Sequence, residues 1–450
     1  MAAKGRIFYA LLFFVAVLTF FWPIPRTIAV RHISLALSVI TLWIIVYNSK
    51  NIFRQNVLEG YAKTKPIFIS LALTTFWFYF VAIFVSPETE WSLKELNGQW
   101  LISLVTFCFG FTVIALDVDD AKKVFMVSFA VIFLHSLFID LEAVKLFTTN
   151  GGVVPHKLMG LTEGPDKANY LTNWILAVIG VELLFRIIKK TRVIPVDSFF
   201  IYLAGITVLL ASYLETMRFG FIGLFFTFCG FTALYLFWSY GRLGGRKTVA
   251  IAALFILSFT AIGYANIKAD KRWDSVAETV SIALDTEHNK AWLDWHKYQK
   301  PVLSDGITVD HSNYTRPAMV KEGFILITEN PFGIGYGRNA FGHGLKAKYG
   351  EGGGHSHSGI IDLGIGTGFI GMGLWVVFLA SLMYYGFRSF KKDESYFGMI
   401  LLFIVSGFFF RMIVDSVIRD HMLEQFMFLV GLLLALSIKE INEKNSTSTV

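Results

Sequence analysis

Charge and cysteine are both scarce in this sequence. Only 16% of its 450 residues are Asp, Glu, Lys or Arg, while 55% are hydrophobic and 16% are aromatic. A soluble domain of this composition would need an implausibly large core to bury its apolar side chains. The two cysteines, Cys108 and Cys229, both fall in apolar segments, which argues against disulfide bonds and thiolate metal sites. The composition therefore predicts a polytopic membrane protein.

Long apolar runs take the place of charge. A helix needs about 20 apolar residues to span the hydrocarbon core of a membrane, and we identify twelve such segments. They lie near 6–22, 33–48, 66–86, 99–117, 121–139, 168–187, 197–213, 217–238, 248–267, 358–386, 396–415 and 421–438. We expect an all-α protein with helices 1–9 in residues 1–267, a long loop at 268–357, helices 10–12 in 358–438 and a tail at 439–450.

Basic residues predict the orientation of these spans. If both termini are cytoplasmic, the short cytoplasmic segments contain 20 Lys and Arg and the short outer segments contain eight, as the positive-inside rule requires. The long loop has eleven basic and eleven acidic residues, so the net charge of +7 lies at the cytoplasmic membrane surface and does not indicate nucleic-acid binding. A cleaved signal peptide is the alternative for the first segment, but its cleavage would invert this charge distribution.

The loop at 268–357 is much longer than an ordinary connection between helices. Trp273 and Val276 are spaced as on a helix, as are Trp292 and Trp295, and a third helix is predicted at 317–330. We expect these helices to lie along the outer membrane face and to cover a cavity among the spans. No repeat relates the two halves of the sequence, which weakens, without excluding, a transporter built from inverted repeats.

Arginines at the ends of membrane helices are costly there and are therefore candidates for function. Arg218 begins the eighth span at its outer end, and Arg316 precedes Pro317, which marks a predicted helix start. A guanidinium beside the free N–H groups of a helix N-terminus forms an anion site. The alternatives are an interfacial arginine at position 218 that extends towards water and a solvated loop arginine at position 316.

Two histidines, His355 and His357, immediately precede the tenth span, and Asp362 lies within it. They could ligate a metal ion, but zinc needs a third and a fourth ligand, and no HExxH motif or cysteine cluster supplies them. Farther along, Arg411 and Asp415 lie four residues apart and so on one helix face, an arrangement that is more often structural than catalytic.

The spacing after the second histidine is specific. His357-Ser358, nine residues and then Gly368-Phe-Ile-Gly371 fit the H[NSQ]x9GxxG pattern of the O-antigen ligases, and the spacing from His355 does not. The chain thus resembles the O-antigen ligase and polymerase superfamily. Twelve spans, a long loop between spans nine and ten and an arginine at the outer start of span eight agree with this family. Residues 315–343 also resemble the family's segment in which an arginine precedes a helix and a P-x-G-x-G turn.

A second stretch, residues 156–171, resembles a family loop with a Gly and an Asn, here Gly160 and Asn169. An arginine often found before that glycine is replaced by Lys157, which leaves an anion contact at this position open. The resemblance covers most of 150–435 in layout, and the histidine motif is its one specific part.

The resemblance implies transfer of a glycan from an undecaprenyl diphosphate carrier to an acceptor sugar, with no nucleotide sugar, metal ion or other cofactor. His357 would take the proton of the attacking hydroxyl group, while Arg218 and Arg316 would bind the donor diphosphate. Attack opposite the diphosphate would invert the anomeric centre, and one of two carboxylates, at 362 or 415, would orient the imidazole. The candidate supporting residues are Asn169, Asp362, Arg411 and Asp415.

Three activities remain open at this point. An O-antigen ligase of the bacterial inner membrane would transfer the glycan, on the periplasmic side, to the lipid A-core oligosaccharide, with membrane lipids around it and no nucleic-acid partner. A polymerase would use a growing carrier-linked chain as acceptor instead. A transporter of anionic or amphipathic solutes would also place arginines at a cavity, but it would not need a histidine beside them. The histidine motif and the loop position favour the ligase.

Overall fold

The computed structural model describes residues 2–47, 50–154, 157–215, 218–239, 244–269 and 275–447. Within these ranges the chain is helical, and the single β interaction is an isolated bridge between Val302 and Thr308. The α-helices, in chain order, are α1 (Ala2–Phe21), α2 (Ile28–Tyr47), α3 (Lys50–Phe80), α4 (Thr89–Glu95), α5 (Leu101–Thr112), α6 (Val118–Thr149), α7 (Pro165–Ile188), α8 (Ser198–Glu215), α9 (Arg218–Ser239), α10 (Gly245–Ala269), α11 (Val276–Ala283), α12 (His311–Glu329), α13 (Ala340–Tyr349), α14 (Gly359–Asp393), α15 (Tyr396–Val414) and α16 (Asp420–Thr447). The predicted all-α architecture is confirmed.

Ten helical segments among the described residues are long and apolar enough to cross a membrane. They are Ile28–Tyr47, Val57–Val85, Thr89–Ala115, Val118–Thr149, Pro165–Ile188, Ser198–Glu215, Gly245–Ala265, Gly359–Asp393, Tyr396–Val414 and Asp420–Ser446. Two shorter apolar helices, Gly5–Phe21 and Phe228–Ser239, correspond to the predicted first and eighth spans. The chain is therefore a polytopic membrane protein. The count of twelve spans, the sidedness of their ends and the division into domains stay predictions.

Helix α16 lies at the centre of the bundle, since its whole apolar stretch is buried among the other helices. Its closest neighbour is α5, and a glycine on each helix allows the two backbones to meet. A Cβ atom on Gly110 would overlap the carbonyl oxygen of Phe428, and one on Gly431 would overlap that of Phe107. Close contact through small residues is typical of membrane helices, because lipid provides no hydrophobic force to drive their association.

The segment between α10 and α14 contains α11, α12, α13 and a core of its own around Trp292, Tyr314 and Phe341. The predicted helix at Trp292 and Trp295 is wrong, because only a 3-10 turn, Lys290–Trp292, forms there. Trp273 lies outside the described residues. We name this part of the chain the connecting segment.

The connecting segment packs directly on the first turns of α14. On α12, Gly323 leaves space for Ile361 of α14, whose Cγ2 atom would overlap any Cβ atom added to the glycine. This contact places α12 beside the two histidines that precede α14. The position of the connecting segment relative to the membrane stays a prediction.

Candidate active site

The two histidines lie in a turn, residues 354–358, that leads into α14; we name it the histidine turn. Their rings are 4.4 Å apart between centroids, and both side chains are partly buried. His355 therefore packs against His357. The backbone of His357 has a φ of 57°, a left-handed conformation that is uncommon for a residue with a Cβ atom and that clusters at functional sites.

Asp362 fastens the histidine turn. One of its carboxylate oxygens accepts a hydrogen bond from the backbone N–H of Ser356 at 2.8 Å, and the other accepts one from the hydroxyl of Ser416 at 2.5 Å. The Ser356 hydroxyl in turn donates to the carbonyl oxygen of Ser358 at 2.9 Å. Asp362 was a candidate to orient the imidazole. Its contacts hold the backbone at Ser356, next to His357, and its role in orienting the ring stays a prediction.

Burial and positive charge keep both imidazoles neutral. Burial, and after it the charge of Arg316, lower the pKa of His357 to about 4, against an opposing effect of Asp415. Burial and the charge of Arg419 lower the pKa of His355 to about 4 as well. At neutral pH both rings can therefore accept a proton, and the charges around them are those of an anion-binding surface.

Arg316 lies beside His357, but not at the helix start that the sequence suggested. Helix α12 begins at His311, where the side chain of Asp310 accepts a hydrogen bond from the N–H of Asn313 at 2.9 Å. Pro317 is consequently inside the helix, and Arg316 is in its second turn. The predicted anion site built from free N–H groups is thus wrong at this position. The guanidinium remains close enough to lower the pKa of His357.

Arg411 joins three helices in a buried polar cluster. Its guanidinium donates to Asp415 at 3.1 and 3.2 Å, to the side-chain oxygen of Asn169 at 2.9 Å and to the carbonyl oxygen of Asp166 at 2.6 Å. Asn169 donates in turn to Glu215 at 2.7 Å. We name Asn169, Glu215, Arg411 and Asp415 the Arg411 network. It ties the N-terminal end of α7 to the C-terminal ends of α8 and α15. It also brings Asn169 into contact with the pair Arg411 and Asp415, although Asn169 and Arg411 are 242 positions apart in the sequence.

The Arg411 network continues into the histidine turn through Asp415. The carbonyl oxygen of Asp415 accepts a hydrogen bond from the N–H of Gly359, the first residue of α14, at 3.0 Å. Its carboxylate accepts one from the N–H of Ser416 at 2.9 Å, and Ser416 also holds Asp362. The backbone is thus held by hydrogen bonds both before His357, at Ser356, and after it, at Gly359. The other end of the network, Glu215, lies three residues before Arg218.

The side chain of Arg218 lies outside the described residues, so its role as a diphosphate ligand stays a prediction. Its backbone begins α9. Lys157, which replaces the arginine of the family loop, has a left-handed φ of 67°.

The first glycine of the histidine motif breaks α14. Gly368 has φ 69° and ψ −175°, which no helical residue adopts. A Cβ atom there would overlap the carbonyl oxygen of Pro331. The second glycine packs against Trp77, whose Cδ1 atom would lie 2.9 Å from a Cβ on Gly371. The two glycines thus have different effects on the span. Gly371 lets it pack closely, whereas Gly368 redirects the helix.

The predicted P-x-G-x-G turn satisfies the groups that this break exposes. The N–H groups of Ile334 and Gly335 donate to the carbonyl oxygens of Ile365 and Gly366 at 3.0 and 2.9 Å, respectively. Across the break, the N–H of Phe369 donates to Pro331 at 3.0 Å, and the indole of Trp77 donates to Thr367 at 2.7 Å. Because unpaired backbone groups are costly in a membrane, the turn and the motif glycine form one structural unit.

Two arginines near this unit were not among the predicted site residues. Arg338, just after the glycine turn, donates to both carboxylate oxygens of Glu95, at 2.8 and 2.9 Å, and to Asp420 at 3.0 Å. Arg419 donates to Asp420 at 3.1 Å, and its Nη1 atom is buried without a partner among the described residues. Both arginines, with Asp362, line a cavity of about 20 Å³. The Arg419-Asp420 pair at the start of a span was the sequence signal that could have identified this cluster.

No group of three or more His, Cys, Asp or Glu side chains that could hold a metal ion occurs in the described part of the chain. The guanidinium ions of Arg316 and Arg419 act on His357, opposed by the carboxylate of Asp415. Guanidinium ions bind anions.

The family model of the O-antigen ligases matches residues 203–376. This match supports membership of the O-antigen ligase superfamily. No curated protein matches it. The matched region contains Arg218, Arg316 and His357, whereas most of the Arg411 network lies outside it. Membership of this superfamily supports glycan transfer of the O-antigen ligase or polymerase type, with a lipid-linked glycan and a lipid acceptor as partners in a general sense.

Proposed function

We propose that the protein is an O-antigen ligase that transfers a glycan from undecaprenyl diphosphate to the lipid A-core oligosaccharide. It would act in the bacterial inner membrane, with the histidine turn facing the periplasm and both termini in the cytoplasm. The observation that carries the proposal is the grouping of His357 with the positive charge of Arg316, in a turn tied by hydrogen bonds to Asp362 and Asp415. Such an arrangement supplies a base and an anion ligand within one site.

The reaction has one displacement step. The imidazole of His357 accepts the proton of the acceptor hydroxyl, whose oxygen forms a bond to the anomeric carbon of the donor. The bond between that carbon and the diphosphate oxygen breaks, and the electron pair leaves on the diphosphate. Arg316 and Arg218 stabilise the negative charge that develops on this leaving group. Because the hydroxyl attacks opposite the diphosphate, the anomeric configuration inverts.

The low pKa of His357 fits this sequence of events. Before the donor binds, neighbouring positive charge disfavours the imidazolium ion. A bound diphosphate offsets that charge, so the pKa of His357 rises as the donor enters. The base thus becomes stronger when its substrate is present, and the imidazolium formed by proton transfer is stabilised by the departing diphosphate.

Deleting the gene and separating the lipopolysaccharide by gel electrophoresis tests the proposal. Loss of a ligase leaves bare core while polymer accumulates on its carrier. Loss of a polymerase, the nearest alternative, leaves core with single repeating units. An unchanged gel would contradict both. A transporter of anionic solutes, the alternative from another class, predicts transport by the His357→Gln variant, whereas a ligase with this change binds donor without turnover.

The proposal includes transfer without a metal ion. Transfer by the purified protein in the presence of EDTA should equal transfer without it, because guanidinium ions bind the diphosphate. Loss of transfer in EDTA and its recovery on adding Mg²⁺ would contradict this part of the proposal.

A further inference from the structure

A second cavity lies at the other end of α14. It has a volume of about 700 Å³ and lies between α3, α14 and α16, within the usual size range of ligand pockets. Its apolar wall includes Pro66 and Ile67 of α3, Val377 and Ala380 of α14, and Ile441 of α16. We name it the basic cavity because of the residues at its edge. Its basic edge at Arg388 lies 30 residues after the end of the histidine turn, or roughly 45 Å along α14 at 1.5 Å per residue.

Three cations line the basic cavity. Arg388 and Lys392 lie four residues apart, on one face of α14, and Lys63 lies across from them on α3. Lys63 is paired with Glu59 at 2.9 Å. Arg388 and Lys392 are exposed and have no acidic partner among the described residues. The lining also includes Asp393, which forms no ion pair with either of them within the described part of the chain. The cavity therefore combines an apolar wall with two unneutralised positive charges.

We propose that the basic cavity binds one anionic phospholipid, with its phosphate between Arg388 and Lys392 and an acyl chain along the wall formed by α3 and α14. A basic pocket between membrane helices at the predicted cytoplasmic surface is where anionic headgroups bind. The apolar wall favours a lipid over a free phosphate ion, because a phosphate ion has no apolar surface to bury against it. The positive-inside distribution explains cations on this surface, but it does not explain a cavity beneath two of them. The proposal depends on membrane embedding and not on the glycan reaction.

Native mass spectrometry of the full-length protein in detergent, titrated with phosphatidylglycerol, tests the site. The Arg388→Gln/Lys392→Gln variant should bind the lipid about tenfold or more weakly than the unchanged protein. The matched control is Arg246→Gln/Lys391→Gln, which removes the same charge from the same predicted surface outside the cavity. It should bind as the unchanged protein does. Since all four side chains are exposed, both variants should fold, which thermal unfolding verifies.

Three further arms distinguish a lipid site from a free-anion site and from diffuse attraction to the basic surface. Phosphatidylcholine should bind at least tenfold more weakly than phosphatidylglycerol, and glycerol 3-phosphate, which has the anion without acyl chains, should not compete. Ala380→Trp should weaken phosphatidylglycerol binding because it fills the apolar wall. Equal losses in the cavity variant and the matched control would show diffuse attraction and overturn the proposal. So would competition by glycerol 3-phosphate, or unchanged binding by Ala380→Trp.

Discussion

The arginines near the histidine turn and those in the basic cavity differ in their hydrogen-bond and ion-pair partners. Near the turn, Arg411 donates to Asp415 and Asn169, and Arg338 binds Glu95 through two nitrogens. In the basic cavity, Arg388 has no acidic partner among the described residues. The free space differs as well, at about 20 Å³ beside Asp362 and about 700 Å³ beside Arg388.

This difference indicates what each region can do. Arginines with several hydrogen bonds, such as the buried Arg411, hold helices in fixed positions. A reacting base needs such support because small displacements cost much of the rate. Exposed arginines without partners can follow a mobile ligand, at little cost in folding stability. Substitutions in the two regions can test this difference. Changes near the histidine turn should lower the transfer rate or the stability of the protein, and changes in the basic cavity should not.

The largest expected effect is on catalysis at the histidine turn. His357→Gln should lower the transfer rate by about 10²- to 10⁴-fold, since the amide cannot act as a base. His355→Gln, which changes the neighbouring ring, is the matched control and should lose less than tenfold. Transfer by the purified proteins from a lipid-linked donor measures both. Equal losses in the two variants would mean that the pair acts as a unit and that the motif spacing does not identify the base.

The Arg411 network should carry much of the stability of this end of the bundle. Arg411→Leu leaves the buried carboxylate of Asp415 without its cation, which should cost about 3–5 kcal/mol of unfolding free energy. Arg388→Leu removes an arginine with no ion pair and should change stability by about 0.5 kcal/mol or less. Thermal unfolding in detergent compares them. Similar unfolding temperatures for the two variants would remove the contrast between the regions.

The sequence predicts features that depend on neighbouring residues. Hydropathy is a local property, so the apolar runs predicted the ten long apolar helices of the described residues. The i, i+4 spacing placed Arg411 and Asp415 near each other, and they form an ion pair. The start of α12 was misplaced because Pro317 resembles a first-turn residue, whereas Asp310 supplies the cap six residues before Arg316. Two local signals competed there, and the capping side chain prevailed over the proline.

Features that depend on distant partners could not be read from the sequence. The break at Gly368 falls inside a continuous apolar run, and it is stable only because the turn around Gly335 satisfies its carbonyl oxygens. The contact of Arg411 with Asn169 joins residues 242 positions apart. The roles of His357, Arg316 and Arg218 in transfer stay predictions, although the first two lie together.

A smaller effect is expected from filling the helix break. Gly368→Ala should destabilise the protein by about 1–3 kcal/mol, because alanine disfavours a φ of 69° and its Cβ atom meets the Pro331 carbonyl oxygen. Gly373→Ala is the matched control in the same helix, where an added Cβ atom has nothing within 4 Å. Alanine there should leave stability unchanged or raise it slightly. Thermal unfolding compares the two variants. Equal stability of Gly368→Ala and Gly373→Ala would show that α14 tolerates a side chain at the break beside the P-x-G-x-G turn.

The smallest expected effect concerns the charge that faces His357. Arg316→Gln removes a positive charge that disfavours the imidazolium ion, so the pKa of His357 should rise above about 4, towards the ordinary value of 6.5. Lys321→Gln, on the same helix, is the control, because Lys321 is not among the charges that shift this pKa. Nuclear magnetic resonance of ¹³C-labelled histidine across a pH titration measures the pKa directly, without relying on turnover. In donor-free protein, His357 should therefore stay neutral to a lower pH with Arg316 than with glutamine at position 316. If His357 titrates at the same pH in both variants, then Arg316 does not face the imidazole, and its assignment to the diphosphate loses its structural support.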